Sequence, residues 1–252
     1  MAAEGKTIDA LGQFELVPVL GRVGASVGFT QSNAHMLLAV GIITALMMYG
    51  MARRAVVPGR LQSLAEMIYE FIDDLVGNQV GRHEGKRFVP FVFALFSFIL
   101  VGNLLGLLPY AFTFTSHIAV TFALAFIVFV LITVVAFALH GRKFLGYFFP
   151  EGAPLWLAPI IIPVEVISYL SRPVSLSIRL FANMTAGHVL LKVFATFIVL
   201  LGGLGAVGPF IAVLPLATNV AIVGFEILVA LLQAYVFAIL TSIYLHDAVH
   251  LH

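Results

Sequence analysis

The sequence predicts an all-α polytopic membrane protein with about five membrane crossings, the last two forming a long, strongly tilted helical hairpin, plus one amphipathic surface helix. Three observations predict it. Lys and Arg number 13 and Asp and Glu 12 among 252 residues, so 10% of the chain is charged, against roughly 25% in a soluble domain. Apolar residues make up 62%, and mean hydropathy is +1.10. Finally, 52 residues from Phe88 to Leu139 and 33 from Val193 to Phe225 contain no Asp, Glu, Lys or Arg. Uncharged apolar runs of this length read as transmembrane helices. So little charge excludes a soluble enzyme, a nucleic-acid-binding protein and a disordered chain.

The whole chain, residues 1–252, reads as a single membrane domain. Residues 1–35 mix Glu4, Lys6, Asp9, Glu15 and Arg22 without an apolar centre, which fits a segment on the outer side rather than a signal peptide. The first span is expected over 36–52, with Arg53, Arg54 and Arg60 directly after it. Residues 61–80 form a surface helix. Leu61, Leu64, Ile68, Phe71, Ile72 and Leu75 recur at helical spacing, and Glu66, Glu70, Asp73 and Asp74 fall opposite them. Two readings fit this helix equally: a docking face for a partner, or a solvated cover over the bundle edge.

The uncharged stretch 88–139 is too long for one crossing and breaks at GNLLGLLP, Gly102 to Pro109, so it holds two spans. Eight of the 13 basic residues fall within 53–87 and 140–154. The positive-inside bias therefore places those loops in the cytoplasm, the N-terminus outside and the C-terminus in the cytoplasm. The hairpin follows over 159–245. Its first arm would be roughly 64 Å long as a helix, twice the hydrocarbon thickness of roughly 30 Å, so it must tilt strongly or break, with Pro163 and Pro173 as the candidate kinks. Gly202, Gly203, Gly205, Gly208 and Pro209 make the turn, and His246, His250 and His252 read as a solvated tail.

The informative residues are the polar ones at membrane depth. The first arm carries Glu165, Ser168, Arg172, Ser175, Ser177, Arg179, Asn183, His188 and Lys192, and the second carries Asn219, Glu226 and Gln233. A charge at mid-membrane costs at least roughly 2.5–3.5 kcal/mol and needs a partner, a wet cavity or a function. Glu165, Arg172 and Arg179 are seven residues apart, with Asn183 four beyond, on one drifting helix face. Asn219, Glu226 and Gln233 share the same period. His188, nine after Arg179, points to the opposite side. Snorkelling would explain Arg179 if it lay near an interface, a buried structural pair would explain Glu226, and a satisfied core histidine would explain His188 taken alone. Asn219 and Gln233 also suit interhelical hydrogen bonding, and Arg172 and Lys192 suit structural roles.

Taken together, these groups can move protons. A histidine titrates near neutrality, a facing helix offers a carboxylate, and arginine keeps its proton. A permanent cation in a proton path acts as a barrier or counter-charge. It can make a passing carboxyl group release its proton, which calls for a moving carboxylate on another subunit. A self-sufficient ion transporter is the competing class. A redox subunit is a third, and it would need haem-ligating pairs that His35, His117 and His188 do not evidently supply. The chain has no cysteine and no phosphate-binding glycine loop, and no cofactor or metal is expected.

The segments LSRPVSLSIRLFANMTAGH (Leu170 to His188), GNLLGLLP and EILVALLQAYVFAILTSIYL (Glu226 to Leu245) resemble the subunit a family of the F-type ATP synthase, and the likeness extends over nearly the whole chain. The resemblance implies a proton-translocating stator subunit with no catalytic site of its own. It would face a ring of c subunits and work with peripheral stalk b subunits and the rest of the complex, in a bacterial inner membrane and without nucleic acid. Arg179 matches the family's essential arginine. His188 and Glu226 match a pair lining the outer of two offset half-channels. Asn183 and Gln233 match polar positions near the arginine, and Glu165 matches an acidic position at the cytoplasmic exit. In many bacterial members the histidine and the acid of that pair are exchanged. Here they stand as in the mitochondrial branch.

Overall fold

The computed structural model describes residues 28–52, 58–108, 111–149 and 155–250. The readings made on the N-terminal segment up to residue 27, on Arg53 and Arg54, on Pro109 and on His252 lie outside the described residues. Among those described, six α-helices follow one another: α1 Gln31–Gly50, α2 Arg60–Val80, α3 Val89–Gly106, α4 Ile118–His140, α5 Ala158–Gly202 and α6 Gly208–Val249. All but α2 are long and apolar enough to cross a membrane.

Local chemistry explains most boundaries. Pro90, Pro159 and Pro209 occupy the first turns of α3, α5 and α6, where a missing amide donor costs nothing. Gly141, at φ 54°, ends α4 in a conformation that side chains disfavour. Gly205, at φ 75°, does the same in the turn between α5 and α6. The first span starts at Gln31 rather than residue 36, because the polar turn Gln31–His35 is itself helical. There His35 Nδ1 lies 2.9 Å from the Gln31 carbonyl.

The first arm of the hairpin does not break. Helix α5 continues through Pro163 and Pro173 for 45 residues, about 68 Å at the rise of an α-helix, so it fits a bilayer only when strongly inclined. Helix α6 runs 42 residues. It is the hub of the bundle, packing on α5, α3, α2 and α4. Its Phe237, Ala238 and Leu245 share one core with Val92, Phe96 and Ile99 of α3, Val128 and Ile132 of α4, and Tyr169, Leu176 and Met184 of α5. Burial on α5 stops at Met184. On α6 it resumes at Glu226 after only Gly208, Ala212 and Pro215 near the turn. Beyond these levels the hairpin stands off from the other spans, with Val199, Phe210 and Leu214 exposed.

Helix α2 is amphipathic as expected, and one expectation, on the end of the chain, is corrected. Leu61, Leu64 and Phe71 of the apolar stripe on α2 are exposed, and the buried residues are Ala65, Ile72, Leu75, Val76 and Val80. The helix rests on α6, α1 and α3. His246 and His250 are not a free tail. Helix α6 continues to Val249, His246 stacks on His250 at 4.8 Å, and His250 Nε2 lies 3.1 Å from Glu84 Oε2. His140 Nε2 sits 3.2 Å from the carbonyls of both Ala248 and Val249. Those carbonyls belong to the last turn of α6, which has no intrahelical donors of its own.

Candidate proton-path site

Where α5 crosses α6, Gly187 removes the side chain that would keep the helices apart. A methyl group at 187 would collide with the carboxyl group of Glu226. That carboxyl is buried, and neither oxygen has a hydrogen-bond partner among the described residues. Its neighbour is His188, with Nδ1 3.9 Å from Oε1. This is ion-pair range but too long for a direct hydrogen bond. The two side chains are 11% and 4% exposed, so the pair is withdrawn from bulk solvent into a lower dielectric, in which charge interactions are stronger.

The other ring nitrogen of His188 is also engaged. Nε2 lies 2.7 Å from Thr113 Oγ1, in the connection between α3 and α4. That connection buries Phe112, Thr113, Phe114, Thr115 and Ser116 in succession. Its other two hydroxyls are also satisfied: Ser116 Oγ donates to the Thr113 carbonyl at 2.5 Å, and Thr115 Oγ1 donates to Asn103 Oδ1 of α3 at 2.7 Å. The Asn103 amide in turn donates to the Ala230 carbonyl of α6 at 3.4 Å. Thr185 Oγ1, one turn before His188, donates to the Ser116 carbonyl at 3.4 Å.

Gly102 lies inside α3 and Gly106 is its last residue, so the run breaks within GNLLGLLP as expected. Gly102 makes room for the Phe114 ring, and Gly106 for the Thr113 side chain. His35 Nε2 accepts the Phe112 amide proton at 3.2 Å, tying α1 to the same connection. Phe112 makes ring contacts with both His35 and His117, at 6.2 and 5.1 Å.

Arg179 lies on a different face of α5. It is exposed, as is Asn183 one turn later, and it forms no ion pair among the described residues. Asn183, Gly187, Glu226 and Gln233 line an open, mostly apolar groove of about 600 Å³ between α5 and α6. Gln233 and Asn219 are half-buried on α6, and the Asn219 Oδ1 is buried without a partner among the described residues. Glu165 is half-buried and Ser175 exposed, both well down α5 from the pair.

Arg172 does not share the open face of Arg179. It pairs with Asp247 Oδ2 at 3.2 Å and stacks over the rings of Tyr169 and Tyr244 at 5.4 and 4.8 Å. Only about 20° around α5 separates the two arginines, so it is the partners at its own level, Asp247, Tyr169 and Tyr244, that hold Arg172.

The sequence reading missed Asn103, Thr113, Thr115, Ser116 and Thr185. A signal was present, because three hydroxyl residues in four positions is an unusual density inside an uncharged run. Nothing in the spacing says that they meet His188, which lies 75 positions away from Thr113.

The sequence profile of the ATP synthase A chain family matches residues 34–246. ATP synthase subunit a of Granulibacter bethesdensis is 65% identical over the full length of both chains. That of Acidiphilium cryptum is 57% identical over 99% of this chain and all of its own. That of Rhodospirillum rubrum is 51% identical over 95% of this chain and 98% of its own. With a multi-pass helical bundle, a match over nearly its whole length and full-length relatives at this identity, the chain belongs to the ATP synthase subunit a family, the proton-translocating stator subunit of the F-type ATP synthase.

Proposed function

We propose that this chain feeds protons to and from a rotating ring of c subunits through two offset half-channels, and that Arg179 separates them. In this reading the N-terminus is outside and the C-terminus in the cytoplasm of a bacterial inner membrane, and peripheral stalk b subunits hold the chain against rotation. His188 and Glu226 lie on the entry path from outside. Glu165 lies on the cytoplasmic exit. Asn183 and Gln233 shape the groove beside Arg179, and Asn219 and Ser175 supply polar positions along the two arms.

The observation that carries the reading is the division of α5 into two functional faces. The titratable pair is turned inward and tied to the α3–α4 connection, whereas the fixed cation is exposed on the open face with Asn183. An arginine exposed on a membrane helix is costly unless something meets it. A carboxylate on a passing subunit would meet it, take its charge as a counter-ion and give up its proton on arrival. Arginine keeps its own proton, so the same residue blocks a direct leak between the half-channels.

The test is Arg179→Ala in the complete ATP synthase. Proton-driven ATP synthesis is expected to disappear while the complex still assembles. Normal coupled synthesis in that variant would overturn the reading.

A further inference from the structure

We propose that Thr113, seated against Gly106, is a positioning residue for proton entry: its hydroxyl holds Nε2 of His188 so that Nδ1 faces Glu226. The inference rests on the proton-path reading of His188 and Glu226. It adds a group from a different part of the chain, outside the hairpin.

The hydroxyl is the right chemistry for this position. It carries one proton and two lone pairs, so it can donate to Nε2 when the ring proton is on Nδ1 and accept from Nε2 when that nitrogen is protonated. A ring that gains and loses a proton therefore keeps the same neighbour throughout.

The hydroxyl is also held rigidly. Thr113 is 5% exposed, and its side chain fills the space left open by Gly106. Its carbonyl is held by Ser116 Oγ at 2.5 Å. The connection is bound to α5 twice on one helix face, at Thr185 and three residues later at His188. Asn103 and Thr115 fix the same segment to α3 and α6. Without the hydroxyl the imidazole keeps its burial but loses its orientation, and Nδ1 is free to turn from Oε1.

The test uses the complete ATP synthase in liposomes, with ATP synthesis driven by an imposed proton gradient. A second readout is the ¹⁵N resonances of the His188 ring in labelled complex, identified by their loss in His188→Ala. Thr113→Val, which keeps the shape and removes the hydroxyl, is expected to slow synthesis on the order of fivefold to tenfold, the worth of one buried hydrogen bond, and to shift the Nε2 resonance. Thr113→Ser is expected to restore both. Should Thr113→Val prevent assembly, Thr113→Ala carries the same test, since it only removes atoms. Wild-type synthesis by the hydroxyl-free variant, or slow synthesis with the ring resonances unmoved, overturns the role of Thr113 and leaves the pair standing. Wild-type synthesis by His188→Ala overturns the reading of the pair and this inference with it.

Discussion

Gly187 and the Glu226 carboxyl group occupy one another's space: the acid lies where any side chain at 187 would be. The approach of the two hairpin arms at this level thus depends on a missing Cβ. The residue beside that gap, His188, is the one that meets the acid. Close packing of small residues lets membrane helices approach, and here the space gained holds a carboxyl group.

Gly187→Ala is therefore expected to slow proton-driven synthesis without preventing assembly. The helix accepts alanine readily, but the flexible carboxyl must swing away from Nδ1. A loss of about tenfold corresponds to roughly 1.4 kcal/mol of disturbed interaction. Synthesis rates in reconstituted complex check it, with subunit content measured in parallel.

Glu226→Gln removes the acid and keeps its volume. Proton entry should slow strongly, by on the order of a hundredfold if the group relays protons. The double exchange His188→Glu with Glu226→His should recover more synthesis than either single change, because the two side chains are direct neighbours. Rates for the two single variants and the double variant in one preparation measure this coupling. Additive losses would show that the residues act separately.

Arg172 and Asp247 close the other end of the crossing. The pair is 22% and 30% exposed, and the guanidinium also stacks on two tyrosine rings. Arg172→Ala should cost about 1–2 kcal/mol of stability. Arg172→Lys should recover only part of it, since an ammonium group lacks the planar fork and stacking surface. Thermal release of the subunit from detergent-solubilised complex is the measurement. Synthesis per assembled complex should change little.

Gly102→Ala places a methyl group against the Phe114 ring. Overpacking of this kind costs roughly 1–3 kcal/mol, and Phe114→Leu in the same chain should return part of it. Thermal stability of the wild type, the two single variants and the double variant reads the exchange. If Gly102 served only to interrupt the helix, alanine there would be neutral or stabilising.

The spans were legible because hydropathy and length are properties of a segment alone. The stretch 88–139 reads as two spans parted within Gly102 to Pro109, and Val89–Gly106 and Ile118–His140 are observed. The buried face of α2 was not legible in the same way. An amphipathic stripe shows which residues avoid water, but beside a membrane several elements offer an apolar environment. Leu61 and Leu64 can remain uncovered by this chain while Ala65 and Val76 are buried. The end of α6 was misread for a related reason. His246 and His250 look like a polar tail until Glu84 and His140 are brought to them.

By itself, the sequence determined the membrane class, the helical hairpin and the few residues whose charge is costly at depth, because the price of a charge in hydrocarbon depends on little beyond its position in an apolar run. It also placed Arg179 and His188 on different sides of one helix, since helical periodicity is local. Only the tertiary structure decided what the inward side meets. The contact of His188 with Glu226 depends on the absent Cβ at Gly187, and its contact with Thr113 on the absent Cβ at Gly106. Such contacts join residues far apart in the chain, and their geometry is set by how closely two backbones can approach, which no spacing along one helix records.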